Sequence, residues 1–346
     1  AMITHQDFLD LYIPQDVRAK WRANPTPELI FRLEVLEACG PYPSDDYRAE
    51  KLRYRRTTKA AWEAYFTAAT VCGMFDGERG KDLRSRLTSR ERENFRSAIA
   101  ECMECWFLAA KHRLKVDGTS AGRGNKNLDL RVELDGQWVG VEVKAPYRAR
   151  PDTSWGGGES DKIAQAMDAA NKQFDDASPN LLIIVPSLRV PMHSSRDDLL
   201  RAAFGHSQYV VPINMKTGDS GPGKMEFNPA GKFLNTRRRD GKPLKPDGLP
   251  GFRRISAIVC IEEDIADREW FHLSNATGFV DNWAMIDREA AKGTIYVDKR
   301  MDHQVLIIHN RHARHALSED LFQGYPQFVP APNDSMQWTD GRPVSV

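Results

Sequence analysis

Residues Asn127 to Pro146 read NLDLRVELDGQWVGVEVKAP, two runs of alternating apolar and polar residues around Asp135-Gly136. Asp-Gly between alternating runs is the strongest short-range hairpin signal, because both central residues of the tight turn take φ > 0. A two-residue turn pairs Leu134 with Gln137. Counting outward, it sets Asp129 opposite Glu142 and Asn127 opposite Lys144. Side chains alternate between the two faces of a strand. One face is then Leu128, Leu130, Val132, Leu134, Val139, Val141 and Val143, a core layer. The other carries Asp129, Arg131, Glu133, Trp138, Glu142 and Lys144.

Two carboxylates opposed at about 5 Å between Cβ atoms repel each other and destabilise a bare sheet. A cation between them removes the conflict. Oxygen-only ligands suit Mg²⁺ or Mn²⁺, which bind through one or two carboxylates and retain several waters. Lys144, two residues beyond Glu142, points to the same side and can hold a water or a phosphate oxygen there. A half-solvated hairpin with a charged outer face has the same spacing, and a one-residue bulge would break the register.

Asp129 followed one strand later by Glu142-Val143-Lys144 resembles the D…ExK signature of the PD-(D/E)XK nuclease superfamily, with Leu128 where that signature has a proline. The element order around it is similar too, over roughly residues 90 to 310. The resemblance implies an α/β protein with a restriction-endonuclease-like α/β/α core and a central mixed sheet. It implies a metal-dependent nuclease, most simply a DNA endonuclease using Mg²⁺ or Mn²⁺, with a restriction or anti-phage role. Asp129 and Glu142 would be metal ligands, the Val143 carbonyl a third, and Lys144 the residue that orients water and offsets phosphate charge. A helix glutamate upstream would complete a second metal position; Glu101 is favoured and Glu104 is the alternative. Lys172-Gln173 on the following helix resembles a Lys/Gln position near the site in several branches, which would put Gln173 among the catalytic residues and Lys172 beside them. Other readings are a protein of this fold that binds nucleic acid without cutting it, and an RNA-directed nuclease. A homodimer fits an enzyme that must cut two strands.

A chain of 346 residues can bury a sizeable core. Its net charge of +1 announces no global attraction to nucleic acid, so local patches must supply it. One such patch is the stretch 232–254, with Arg237, Arg238, Arg239, Lys242, Lys245, Arg253 and Arg254; another is the basic segment 48–59. Five scattered cysteines fit a reducing compartment, and no apolar run approaches the roughly 20 residues that span a bilayer, so a cytoplasmic protein without a membrane partner is expected.

The chain divides into an N-terminal helical region, 1–87, for substrate binding, dimerisation or regulation, a nuclease-like domain, 88–330, and a Pro-rich tail, 331–346. Apolar spacing predicts helices after Pro27, over 45–72, over 88–112, over 159–177 and over 197–204. Residues 73–80 and the Gly/Pro-rich insertion 206–254 are expected to be loops. Short apolar runs at 114–116, 181–185, 255–261 and 305–309 are strand candidates. Glu101 and Glu104 are expected on the solvated side of their helix. Cys102-Met103-Glu104-Cys105 lacks the second pair that a zinc site needs, and His309, His312 and His315 lack an acidic partner.

Overall fold

The computed structural model describes residues 9–38, 59, 61–118, 128–134, 136–145, 158–185, 192–213, 215–228, 231–234, 236, 248–261, 305–322, 324–330 and 336–339. Its helices are α1 (Gln15–Ala23), α2 (Pro27–Leu36), α3 (61–71), α4 (Gly77–Thr88), α5 (Arg92–Trp106, ending in a π turn), α6 (Gly158–Gln173) and α7 (Met192–Phe204). Its strands are β1 (Lys115–Asp117), β2 (Leu130–Leu134), β3 (Gln137–Lys144), β4 (Asn180–Ile184), β5 (His206–Val210), β6 (Lys224–Asn228), β7 (Ala257–Ile261), β8 (Val305–His309), β9 (Gln327–Pro330) and β10 (Met336–Thr339).

Eight strands form one mixed sheet in the order β1-β2-β3-β4-β7-β8-β9-β10. Pairs β1–β2 and β2–β3 are antiparallel, whereas β3–β4 and β4–β7 are parallel. Parallel neighbours need a crossover, and α6 supplies it between β3 and β4. The central strands are apolar on both sides because both faces are covered. Leu181, Ile183, Val259 and Ile307 pack toward the N-terminal helices and α5. Leu182, Ile184, Ile258 and Ile308 pack toward α6 and α7. The protein is therefore α/β, with helices on both faces of a mixed sheet.

The hairpin register is the one its turn demands. Leu134 pairs with Gln137 and Leu130 with Val141. Gly136 has φ +76°, which a glycine adopts without strain. Leu128 departs from the expected face: it packs with Ile163, Met167 and Leu182 in the α6 layer, not with Leu130 and Val132. The chain bends at Asp129, and Leu128 crosses over Gly140. A Cβ at Gly140 would stand 2.9 Å from Leu128 Cδ1 and 2.5 Å from Asn180 Oδ1, so a side chain there would force both to move. Asn180, fully buried, donates through Nδ2 to the Asp175, Ser178 and Arg254 carbonyls and thereby fixes the start of β4.

Regular elements occur in both stretches expected to be loops, and in the Pro-rich end. Helix α4 begins inside the stretch 73–80; Gly77 and Gly80 in its first turn hide it, and Gly80 is required because a Cβ there would meet Phe75 O at 2.0 Å. The insertion contains the β5–β6 ribbon, a two-stranded antiparallel pair of its own. The Pro-rich end contributes β9 and β10 to the main sheet, since pairing satisfies backbone groups whatever the side chains.

Residues before 88 share one apolar core with the sheet: Trp21, Leu29, Phe66 and Leu83 belong to the cluster that holds Phe95, Val141 and Ile307. Arg32 staples them together. It is fully buried, its Nη1 donates to the Ser89 carbonyl at 2.7 Å, and its guanidinium lies 3.8 Å from the Phe95 ring centre. Much of the expected helix 45–72, including the basic segment 48–59 apart from Lys59, lies outside the described residues.

Candidate metal centre at the hairpin end

Strand β3 bonds alternately to its two neighbours. The Gly140 N–H reaches the Pro179 carbonyl at 3.0 Å, and the Lys144 carbonyl accepts from the Val185 N–H at 2.9 Å, both on the β4 side. Val143 therefore faces β2, where the ladder has ended at Leu130. The carboxylate of Asp129 takes the vacated place: its Oδ2 accepts from the Val143 N–H at 2.8 Å. The bend that carries Leu128 to the other layer is what frees Asp129 to do this.

Glu142 alternates with Val141 and Val143, so its side chain leaves on the face that carries Leu182 and Ile184 in the next strand. It is 0% exposed. Lys144 Nζ donates to Glu142 Oε2 at 2.6 Å, and Oε1 has no hydrogen-bond partner. Burial first, and then the charge of Asp129, pushes the Glu142 carboxyl up to about 8; Lys144 offsets this only in part. Burial alone would lower Lys144, but the Asp129 and Glu142 carboxylates outweigh it and hold the ammonium on.

Glu101 reaches the same cluster from α5. Both helix glutamates are buried rather than solvated, Glu101 at 3% exposure and Glu104 at 0%, because α5 is covered on several sides. Burial, then Asp129, pushes the Glu101 carboxyl up against the pull of Arg86. Arg86 forks onto it, with Nη1 to Oε1 at 2.5 Å and Nη2 to Oε2 at 2.9 Å. Arg79 Nη2 stands 3.9 Å from both Glu101 Oε2 and Asp129 Oδ1. Glu104 is not among the charges acting on Glu142. Neither of its oxygens has a hydrogen-bond partner, and burial holds its carboxyl well above the ordinary range.

Lys144 thus contacts Glu142, Arg79 stands between Glu101 and Asp129, and the charges of Asp129 and Glu101 act on Glu142 without contact. Other expected participants do not join them. The Asn171 carbonyl bonds Arg254, which bonds Asn180 in turn, so the last turn of α6 lies beside the Asn180 end of β4. That end carries Lys172 and Gln173 to the level of Gly140, and Lys172 is exposed. Arg254 forks onto Asp176, with both bonds at 2.9 Å, and Arg253 Nε donates to the His312 carbonyl. Those two arginines hold loops together. Arg237, Arg238, Arg239, Lys242 and Lys245 lie outside the described residues. His309 bonds Gln327 and His315 meets the Asp176 carbonyl, so both belong to the framework.

Arg79 and Arg86 are the site residues the sequence pattern concealed, because they ride on α4. Leu83 and Leu87, four apart and both buried, are the signal that betrays this helix. Among the described residues of α6, Ser160 is 7% exposed and the Asn171 Oδ1 is buried, whereas Lys172 is exposed.

Among the described residues no three His, Cys, Asp or Glu side chains are grouped so as to hold a metal ion. The donor set fits the sparser Mg²⁺ pattern of one or two carboxylates completed by waters. Asp129, 17% exposed, opens to solvent, and Glu142 Oε1 is a buried acceptor without a donor. A buried carboxylate with one oxygen left unpartnered beside Lys144 is costly, and a second cation relieves it. No family model, curated protein or solved structure matches this chain.

Proposed function

We propose that the protein is a metal-dependent nuclease that hydrolyses phosphodiester bonds, DNA foremost, on a restriction-endonuclease-like core. The carrying observation is Glu142: fully buried, one oxygen held by Lys144 and the other unpartnered, with Asp129 acting on it from the end of the neighbouring strand. Asp129 and Glu142 would hold Mg²⁺ or Mn²⁺, with the Val143 carbonyl on the β2 side as a further oxygen. The bound ion supplies a Lewis acid and a more acidic water. Lys144 keeps its proton beside Glu142, where it offsets charge on a scissile phosphate and orients the attacking water. The Val143 N–H holds the Asp129 carboxylate in one orientation, so the centre is preorganised. A restriction or anti-phage role, and a dimer that presents two centres to two strands, go with this reading.

Because Glu101 is already bound by Arg86, its part is to position neighbouring charge rather than to complete a second metal position. That commitment also favours the second reading, a protein of this fold that binds nucleic acid without cutting it.

Plasmid, linear DNA and RNA, each with Mg²⁺, Mn²⁺ or EDTA, separate the readings. Cleavage is expected with the divalent ions only, and Glu142→Ala and Lys144→Ala each slow it by about a hundredfold or more. Cleavage untouched by both substitutions overturns the site. Binding without cleavage of any substrate establishes the second reading, and cleavage of RNA alone moves the substrate.

A further inference from the structure

Helix α4 brings two arginines to the carboxylates, and they are held in different ways. Arg86 is fully engaged, by Glu101 through both Nη atoms and by Asp82 through Nε at 2.8 Å. Arg79 is anchored at one end only. Its Nη1 donates to the Gly118 carbonyl, while its Nη2 is buried and has no hydrogen-bond partner. Nη2 nevertheless lies 3.9 Å from two carboxylate oxygens, one on Glu101 and one on Asp129. That is too long for a hydrogen bond and short for a charge pair, since Coulomb attraction falls only as 1/r whereas a hydrogen bond needs contact and alignment.

The anchor is built in. The Gly118 N–H bonds the Cys72 carbonyl at 3.0 Å, and a Cβ at Gly118 would stand 2.7 Å from Met74 Cγ and 2.8 Å from Met74 N, so the backbone must run close there. Arg79 side-chain exposure is 11%, which leaves its charge little water to be screened by. We propose that Arg79 is the resident counter-cation of Asp129, and that a divalent ion binding at Asp129 competes with it, so that helix α4 sets the centre's affinity for metal. This rests on the metal reading above. A divalent ion brings two charges within bonding distance of a carboxylate oxygen; a guanidinium brings one charge without contact. The ion therefore wins, but against a positive charge already in place, and it must shift Nη2 away or bear its repulsion.

The test is Mn²⁺ binding to the full chain by titration calorimetry, in the wild type and in Arg79→Gln, Arg79→Lys and Glu142→Gln. Arg79→Gln is expected to bind Mn²⁺ more tightly by about tenfold, because one opposing charge is gone. Arg79→Lys, which keeps the charge, stays near the wild type, and Glu142→Gln loses the binding. Wild-type or weaker affinity in Arg79→Gln, beside wild-type binding that Glu142→Gln abolishes, overturns the inference and leaves the metal reading intact. No binding in either protein, or binding that survives Glu142→Gln, overturns the metal reading and the inference with it. If Arg79→Gln does not fold, the Arg79 guanidinium resonance of the wild-type protein answers the same question. Saturating Mg²⁺ is expected to shift it, and a resonance unmoved by Mg²⁺ overturns the inference.

Discussion

Glu142 carries a proton that an exposed glutamate would have lost. Its folded-state carboxyl is pushed up to about 8, from 4.5, by burial and by Asp129. Between those values the folded chain binds more protons than the unfolded one, so stability falls as pH rises. The contribution is full below the unfolded value and is lost on the way up to the folded one. Without divalent ions, Glu142 should contribute a decline in unfolding free energy between pH 5 and 8 of up to about 1.4 kcal/mol per pH unit, added to that of Glu101 and Glu104, which are pushed up as well. Urea titrations at successive pH values check this, and Glu142→Gln should make the profile shallower by that share. A wild-type profile as flat as that of the variant would mean that the buried carboxyl is compensated in some other way.

The elements place the site as much as its residues do. Strand β2 begins only at Leu130, directly after Asp129, and that leaves the Val143 N–H for a carboxylate instead of a strand neighbour. Gly140 makes this workable, because Leu128 passes over it into the α6 layer. Gly140→Ala should therefore cost about 1–3 kcal/mol by overpacking, measured as a shift in the urea midpoint, and should disturb Leu128 and Asp129 together. A substitution without effect would show that the bend does not depend on the close approach. The hairpin, its register and its charged end were legible in the sequence, since Asp-Gly and strict alternation are local signals. Helix α4 was not legible. Gly77 and Gly80 look like punctuation, and the contact that demands Gly80 exists only once Phe75 is packed against it.

At the scale of the whole molecule the N-terminal helices are part of the sheet's own core. They supply Trp21, Leu29, Phe66 and Leu83 to one face, and burying each such side chain contributes about 1.5–3 kcal/mol. They also supply Arg79 and Arg86 to the carboxylates and Arg32 to the start of α5. A chain that begins at residue 88 should therefore fail to unfold cooperatively in a thermal melt followed by circular dichroism, and should be cut rapidly by proteases. A cooperative melt at the full-length midpoint would make those helices an appendage. Among the described residues no helix is long and apolar enough to cross a membrane.

By itself, the sequence determined the hairpin, the pairing of its strands, the apolar runs that became the central sheet, and the placing of Glu142 and Lys144 on one side of β3. All of these follow from periods of two residues and from a turn whose geometry only a few residues tolerate. Only the tertiary structure decided that Leu128 belongs to the opposite layer, that Glu101 is held by Arg86, and that Gln173 lies at the wrong end of its helix. It also decided that Arg253 and Arg254 bind the protein itself and that the Pro-rich end adds two strands. The reason is the same in each case. Which partner satisfies a buried charge or an open strand edge depends on what long-range packing brings beside it, and local sequence carries no record of that.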